Sequence, residues 1–512
     1  MSRVRIGILS PLPLAATLSS VAYHLLKGYL EESGAKVYVY YFEDGRLASI
    51  GRGSPQPREL DALLVSVTFE LDLPRVVEAL RQGGINPDAS SRGPGDPVVI
   101  TGGPLPTANP ITSLGFSDAI VIGEAEPLLD SILDALERGS RSSRLRALAD
   151  AGLLVPGHSP TPVEKVYTKN LDEAWYPTRI YIPRGVEPVW GYSYPLETSR
   201  GCGRGCRFCM EGFVFRPLRH RSFNRLRELL EEGVTVNDVN KVSFYSLSFF
   251  DSPHAERILS YAVEELGLDV SVPSLRVDTL TSRRIELIAE GGQKTLTIAP
   301  ETGSCRIARA FNKEISPSRV VDVASEAVER GVRTVKLYII TPAPLEDGEA
   351  FEGTLSLIED TARSVKRLGG VLRVSVNPFI PKPHTPLQWL GVPSERDFRE
   401  RVKRLRATAR RIGVEVDFYD LKLARVQAAI GRGSWGVERL VIEWGLRGVG
   451  LGALRAAANK LGFNLEEMWG PLKEDYNPPW HDLVRLPGAS LDLLRREYEK
   501  FLGLARSTCS WR

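Results

Sequence analysis

Cysteine and methionine are scarce in this chain, with five and three among 512 residues. Three of the five cysteines fall within eight positions, at 202, 206 and 209, which is not how a disulfide framework is spaced. A small stapled scaffold is excluded, and a reducing cytoplasm is the expected compartment. Long apolar runs are missing too. The most glycine-rich stretch, 445–458, contains Arg447 and Arg455 and follows Glu443, so nothing approaches the roughly 20 apolar residues of a membrane span. A dominant sign of charge is also absent: 66 basic side chains face 63 acidic ones, a formal +3 that says little about partners. With 43% hydrophobic and 25% charged residues, disorder and collagen-like repetition are excluded, and the length predicts about three domains. The start carries Arg3 and Arg5 before an apolar run, but Pro11 and Pro13 would interrupt a secretory signal, so residues 4–9 read as a strand.

What is present alternates. Strand patterns at 4–9, 37–42, 61–69, 98–100 and 118–122 interleave with helical ones at 19–32, 74–82 and 128–136. That order predicts parallel strands with helical crossovers, a doubly wound α/β sheet of the flavodoxin-like or Rossmann-like type over 1–140. Residues 141–190, with arginine and serine runs and several prolines, read as a linker and lead-in. Alternation resumes with strands at 241–250, 269–273, 294–299, 332–340 and 371–376 and helices such as 283–289 and 317–330. A partial barrel over 191–393 is expected, with functional residues at the carboxyl ends of its strands. Residues 394–512 read as a helical region. There Phe398, Val402, Leu405, Ala409 and Ile412 form an apolar stripe surrounded by Arg401, Lys403, Arg404, Arg406, Arg410 and Arg411, a helix read as a solvated face in preference to a nucleic-acid contact.

The chemistry lies in Glu197-Thr198-Ser199-Arg200-Gly201-Cys202-Gly203-Arg204-Gly205-Cys206-Arg207-Phe208-Cys209, which spaces three thiols as C-x3-C-x2-C. Glycines on one loop allow the turns that gather three sulfurs around one metal centre. A 4Fe-4S cluster held by three thiolates leaves one iron open for a substrate or cosubstrate. Zinc is the competing assignment, with His220 as a fourth ligand, but zinc sites usually pair C-x2-C spacings from two loops and Cys305 and Cys509 are isolated.

With Phe208 in the aromatic place, this run resembles the fingerprint of the radical S-adenosylmethionine superfamily. The resemblance implies that the open iron binds S-adenosylmethionine and that one electron from the cluster cleaves it to methionine and a 5′-deoxyadenosyl radical. Further segments resemble the branch with an N-terminal cobalamin-binding-like domain: Ile298-Ala299-Pro300-Glu301-Thr302-Gly303-Ser304 with Asn312-Lys313, Val335-Lys336-Leu337-Tyr338, the run 377–389 with His384, and 426–433. The fold this implies is a Rossmann-like domain, a radical SAM partial TIM barrel and a helical C-terminal region.

Cys202, Cys206 and Cys209 are the expected metal ligands, beside Phe208. Arg276, after a predicted strand, has the guanidinium to clamp the methionine carboxylate. Glu301 is placed to accept from ribose hydroxyls or the amino group, and Ser246 and Ser248 stand where relatives carry Gly-Gly-Glu. Lys336 points either into the barrel or to an acid. His384 and Cys305 read first as structural. Cobalamin is admitted by the resemblance, although no Asp-x-His-x-x-Gly loop occurs in the first 150 residues and His24 stands alone; its contacts would be the Gly102-Gly103 and Gly123-Glu124 turns. Eight arginines between 200 and 227 suit an anionic substrate or simply a solvated surface. An electron donor such as ferredoxin or flavodoxin is implied, the substrate is unnamed, and the rivals are a cobalamin-dependent radical methyltransferase and a zinc-stabilised RNA-binding module.

Overall fold

The computed structural model describes residues 4–51 and 53–511. They divide into two compact units, Met1–Tyr192 with Val426–Ser490, and Ser193–Arg425 with Leu491–Arg512.

The first unit is built on a six-stranded sheet of β1 (Arg5–Ser10), β2 (Lys36–Glu43), β3 (Arg46–Ile50), β4 (Ala62–Ser66), β5 (Val98–Gly102) and β6 (Ala119–Ile120). Its order is β3-β2-β1-β4-β5-β6, parallel throughout except for the β2–β3 hairpin. β1 and β4 are continuous apolar runs because a central parallel strand is covered on both faces. One face buries Ile6, Ile8, Ala62, Leu64, Val98 and Ile100 against Leu25 and Leu30 of α1 (Val21–Glu32) and Leu129, Ile132 and Leu136 of α3 (Leu129–Leu136). α2 (Leu73–Gln82) is also amphipathic, with Val76, Val77 and Leu80 buried. Each such side chain contributes about 1.5–3 kcal/mol on burial.

Residues 141–190 are not a linker. Arg141 opens α4 (Arg141–Asp150), capped by the Ser140 hydroxyl, which accepts from Ser143 N at 3.1 Å. Arg92 and Arg141 both bind the buried Asp118 carboxylate, at 2.8 and 2.5 Å. β7 (Val163–Glu164) pairs with Val484–Arg485. A composition typical of loops is here consumed by a buried ion network, which sequence statistics do not register.

The second unit carries β8 (Tyr194–Glu197), β11 (Lys241–Tyr245) and β12 (Asp269–Ser271) in one parallel sheet, ordered β12-β11-β8. β13 (Thr295–Glu301), β14 (Thr334–Ile340), β15 (Val371–Asn377) and β16 (Glu415–Phe418) form a second. A parallel bridge from Leu275 to Ile298 links the two. Between the strands run α5 (Phe223–Asn237), α6 (Ala255–Ser260), α7 (Ser282–Glu290), α8 (Cys305–Ala310), α9 (Pro317–Glu329), α10 (Gly348–Arg367) and α11 (Glu395–Ile412). A small antiparallel pair, β9 (Ser199–Arg200) with β10 (Arg219–His220), closes the loop between them.

The expectation of one helical region from 394 is corrected on two counts. β16 is a strand there, too short at four residues to show a period. Residues 426–490 cluster with the first unit, whereas α12 (Leu491–Arg506) belongs to the second, where Phe501 stacks 6.2 Å from Phe311.

Beyond β14, Glu346 is fully buried: Thr341 Oγ1 donates to it at 2.6 Å and Arg401 Nε stands 3.4 Å away. Burial dominates and raises its pKa from 4.5 to about 7, against the opposing pull of Thr341, Arg401 and the Ala343 backbone. Because the folded value exceeds the unfolded one, this group's contribution to stability is complete below 4.5 and lost as pH rises through 7. Urea midpoints of wild type should therefore fall relative to Glu346→Gln across that window, and parallel profiles would refute the assignment.

Candidate functional site

The cysteine loop leaves β8 at Glu197 and is shaped by two glycines in the left-handed region, Gly201 at φ +88 and Gly205 at φ +66. A Cβ on Gly201 would stand 2.4 Å from the Pro217 carbonyl oxygen, so the strand returning through β10 requires glycine there. Cys209 N donates to Cys206 O at 3.0 Å, turning the last two thiols back on each other. The loop is anchored from below: Asn312 Nδ2 donates to Arg204 O and Gly205 O at 3.1 Å, and Arg207 N to Phe311 O at 3.0 Å. The buried Arg207 guanidinium binds Glu497 at 2.8 Å and donates to Arg309 O at 3.1 Å and Ala310 O at 2.7 Å. Phe208 packs with its centroid 4.8 Å from that of Phe311.

Cys202, Cys206 and Cys209 are all free thiols. Burial pushes the Cys209 thiol well above its ordinary value, with Glu211, Cys206 and Cys202 adding to it. Burial also raises Cys202, which Cys206 and Asp251 reinforce and the Arg204 backbone and Arg276 oppose. Three thiols gathered where bare thiolates are costly form a donor set suited to a cationic iron centre, which stabilises the deprotonated form. Among the described residues no three His, Cys, Asp or Glu side chains converge on a single-ion site. His220, the candidate fourth zinc ligand, pairs through β10 with Ser199 and has a buried Nδ1 without a hydrogen-bond partner.

Around the thiols lies a polar network that sequence reasoning saw in part. Arg276 Nη1 points at Cys206 Sγ, 3.6 Å away, while Nε and Nη2 both bind Asp278 at 3.0 Å. The bidentate edge expected to clamp a carboxylate is thus held by Asp278. Ser246 shares a hydrogen bond with Ser199 at 2.7 Å and accepts from Ser248 N at 3.1 Å; Ser248 Oγ donates to Asp251 at 2.6 Å. Asp251, which sequence reasoning missed, also receives Arg204 through Nε at 2.8 Å and through Nη2. Its only sequence signal was an acid directly after the strand expected over 241–250, in Phe249-Phe250-Asp251; the observed strand ends earlier, at Tyr245.

Glu301 ends β13 with φ +69, a conformation disfavoured for a residue with a side chain, and binds Lys313 Nζ at 2.7 Å inside the protein. Lys336 is half-buried on β14, in register with Thr297 and Arg373, its ammonium 5.1 Å from the Tyr338 ring. His384 is buried in its loop at φ +53, with its backbone N–H donating to Gln388.

Two expectations are corrected. Cys305 and Cys509 are not isolated: the fold joins them in a disulfide with Cα atoms 5.7 Å apart across 204 residues, a proximity that only α12 running back over α8 creates. The positive field between residues 200 and 227 is largely neutralised within the unit. Arg200 and Arg221 share Glu197 at 2.8 and 3.2 Å, Arg204 holds Asp251, Arg207 holds Glu497, and Arg225 meets Glu228 at 3.3 Å.

In the first unit, the Gly123-Glu124 turn is filled by the chain itself. A Cβ on Gly123 would stand 2.0 Å from Val166 O, Glu124 N donates to that oxygen at 2.9 Å, and the Glu124 carboxylate accepts from Thr168 N. Gly103, at φ +120, backs onto the Val67 carbonyl. His24 is buried in α1 between Leu18 O and Tyr181 N, and burial lowers its pKa to about 4. These residues do not fit cobalamin at the Gly123 turn.

Residues 196–358 match the Radical SAM superfamily, and residues 44–156 match the N-terminal region of radical SAM proteins. The chain is 29% identical over 435 residues to the uncharacterized protein MJ0966 of Methanocaldococcus jannaschii, covering 84% of this chain and 88% of that one. Its fold is similar to the radical S-adenosylmethionine methyltransferase TsrM of Kitasatospora setae with cobalamin and a 4Fe-4S cluster bound. That match has a TM-score of 0.54 at 15% identity and covers 76% of this chain and 77% of that one. The same methyltransferase with tryptophan substrate and aza-SAM bound gives a TM-score of 0.53 at 14% identity, with 75% of each chain covered. With the three-thiol loop, the parallel β/α units around it and both sequence matches in agreement, the chain belongs to the radical SAM superfamily and is a radical SAM enzyme.

Proposed function

We propose that Cys202, Cys206 and Cys209 hold a 4Fe-4S cluster through three irons and leave the fourth for S-adenosylmethionine, the second unit being a partial barrel that carries the reaction on an unidentified substrate. When bound, this group supplies the electron that cleaves S-adenosylmethionine to methionine and a 5′-deoxyadenosyl radical. The observation that carries the reading is the set of three free thiols on one glycine-turned loop, with the Arg276 guanidinium 3.6 Å from Cys206 Sγ.

The chain's own residues bind and orient. Asn312 and Arg207 hold the loop so that the thiols are preset and little ordering is left for assembly. Ser246, Ser248, Arg276 and Glu301 offer hydrogen-bonding groups for the methionine and ribose ends. Each is now bonded within the protein, so cosubstrate binding exchanges partners: a carboxylate would displace Asp278 from Arg276, and an ammonium or hydroxyl would compete with Lys313 for Glu301. Lys336, on the half-buried face of β14 with Tyr338, is a cofactor or substrate contact in this reading. An external donor of the ferredoxin or flavodoxin class supplies the electron, and a reducing cytoplasm suits the free thiols. No helix among the described residues is long and apolar enough to cross a membrane.

Cobalamin-dependent methyl transfer is the second reading. The strand order of the first unit, with the β3 hairpin set aside, is the 2-1-3-4-5 of flavodoxin-like folds, and it supports a cobalamin-binding-like ancestry for residues 1–140. The filled Gly123 turn opposes it, so no step is assigned to cobalamin.

Anaerobic reconstitution with iron and sulfide, followed by dithionite and S-adenosylmethionine, should give 5′-deoxyadenosine. Methylated product with bound cobalamin would favour the second reading, and stoichiometric zinc without a cluster would sink the first.

A further inference from the structure

The basic helix that the functional site leaves unused is α11. It is capped by Ser394, whose hydroxyl accepts from Asp397 N at 3.1 Å, and stopped by Gly413 in the left-handed region at φ +62, so all five turns are regular. Its arginines divide into two sets. Those facing α10 and the loop before it are each matched with acids, Arg401 with Glu346 and Glu400, Arg404 with Glu352 and Arg411 with Glu359. The outward set, Arg396, Arg399, Lys403, Arg406 and Arg410, is exposed along the whole helix. Among the described residues only Arg399 of this set meets an acid, Glu395 of the same first turn, and it remains 78% exposed.

These five cations follow one another at spacings of three, four, three and four residues, which keeps them in a single row. At 1.5 Å per residue, the row is about 21 Å long with a cation about every 5 Å. Phe398, Val402 and Ala407 line the same shallow groove as four of these cations. A chain that supplies an acid for each inward arginine and leaves four of the five outward cations without one presents an extended cationic track.

We propose that α11 is a docking surface for the sugar–phosphate backbone of a nucleic acid strand. A linear polyanion with evenly spaced charges matches a linear row of cations, and release of its counterions supplies the affinity. An anionic membrane fits less well. A helix lying on a bilayer inserts apolar side chains, whereas here Leu405 and Ala409 are buried and Phe398 and Val402 are half-buried. Binding by the backbone alone is independent of base sequence. The inference does not depend on the cluster reading above, because no residue of α11 belongs to that site.

The test compares the full-length protein with Lys403→Glu/Arg406→Glu/Arg410→Glu, using fluorescence anisotropy with labelled oligouridylate RNA and its duplex at several salt concentrations. The expected result is binding by wild type, at least tenfold weaker binding by the variant, and a log–log salt slope shallower by about 2, the share of three lost phosphate contacts on a single strand. A second variant, Lys403→Gln/Arg406→Gln/Arg410→Gln, separates lost attraction from added repulsion and should also bind more weakly. Unchanged thermal unfolding and 5′-deoxyadenosine formation in both variants would show that the fold and reaction are intact. Equal RNA affinity in wild type and variants overturns the proposal. So does charge-dependent binding to phosphatidylserine vesicles or to an acidic flavodoxin without binding to RNA.

Discussion

Cys206→Ala protein, reconstituted anaerobically beside wild type, should emerge colourless, with sub-stoichiometric iron and 5′-deoxyadenosine formation reduced by about three orders of magnitude or more, about 4 kcal/mol of barrier. Two thiols remain after the change, and they cannot hold three irons. The fold should survive, because cysteine to alanine removes one small atom from a loop that Asn312, Arg207 and the β9–β10 pair continue to anchor. Circular dichroism and the urea midpoint should therefore match those of wild type before reconstitution, when neither protein holds a cluster. Cys305→Ser is the control that separates the two kinds of cysteine in this chain: its thiol is already committed to Cys509, so brown colour and product should persist. A brown Cys206→Ala protein, or loss of the cluster in Cys305→Ser, would move the ligand assignment elsewhere.

Lys313→Ala should lower stability by about 3–5 kcal/mol, because it strands the Glu301 carboxylate inside the protein without its cation. The two side chains are only 8% and 11% exposed and stand 2.7 Å apart, and solvent does not replace the lost partner. Glu301 also holds the left-handed backbone at the end of β13, so a local rearrangement there would move the turn into Thr302-Gly303-Ser304. The double variant Glu301→Gln/Lys313→Met removes both charges and should recover most of the loss, the signature of an unpaired charge as opposed to a packing defect. Urea unfolding of the two single variants and the double variant measures the coupling. A single-variant cost below about 1 kcal/mol would show the pair to be solvated in effect.

Much of the reaction class was legible before any fold was known. Three thiols at C-x3-C-x2-C with Phe208 between the last two are local in sequence, and local constellations survive translation into structure because one loop carries them. The alternation of strand and helix patterns was equally readable, since a two-residue period and a 3.6-residue period each leave their mark on a single segment. Elements fell within a few residues of their expected places, as with 317–330 against Pro317–Glu329.

What failed was non-local. Residues 141–190 resemble a linker by composition, yet Arg141 is consumed by Asp118, and nothing in either segment announces the other. β16 is too short to show a period, and its pairing with β15 alone makes it a strand. Arg276 reaches to 3.6 Å from Cys206 Sγ, but its bidentate edge belongs to Asp278, two residues on, a pairing the sequence does not announce. Cys305 and Cys509 meet only because α12 returns across the chain to pack on α8. Sequence by itself determined the thiol loop, the radical SAM resemblance and the order of β/α units, because each is written within a short window. Tertiary structure decided which charges are paired and which are left facing solvent, as the two faces of α11 show. Ion pairing depends on distances between side chains far apart in the chain, and no local pattern encodes those distances.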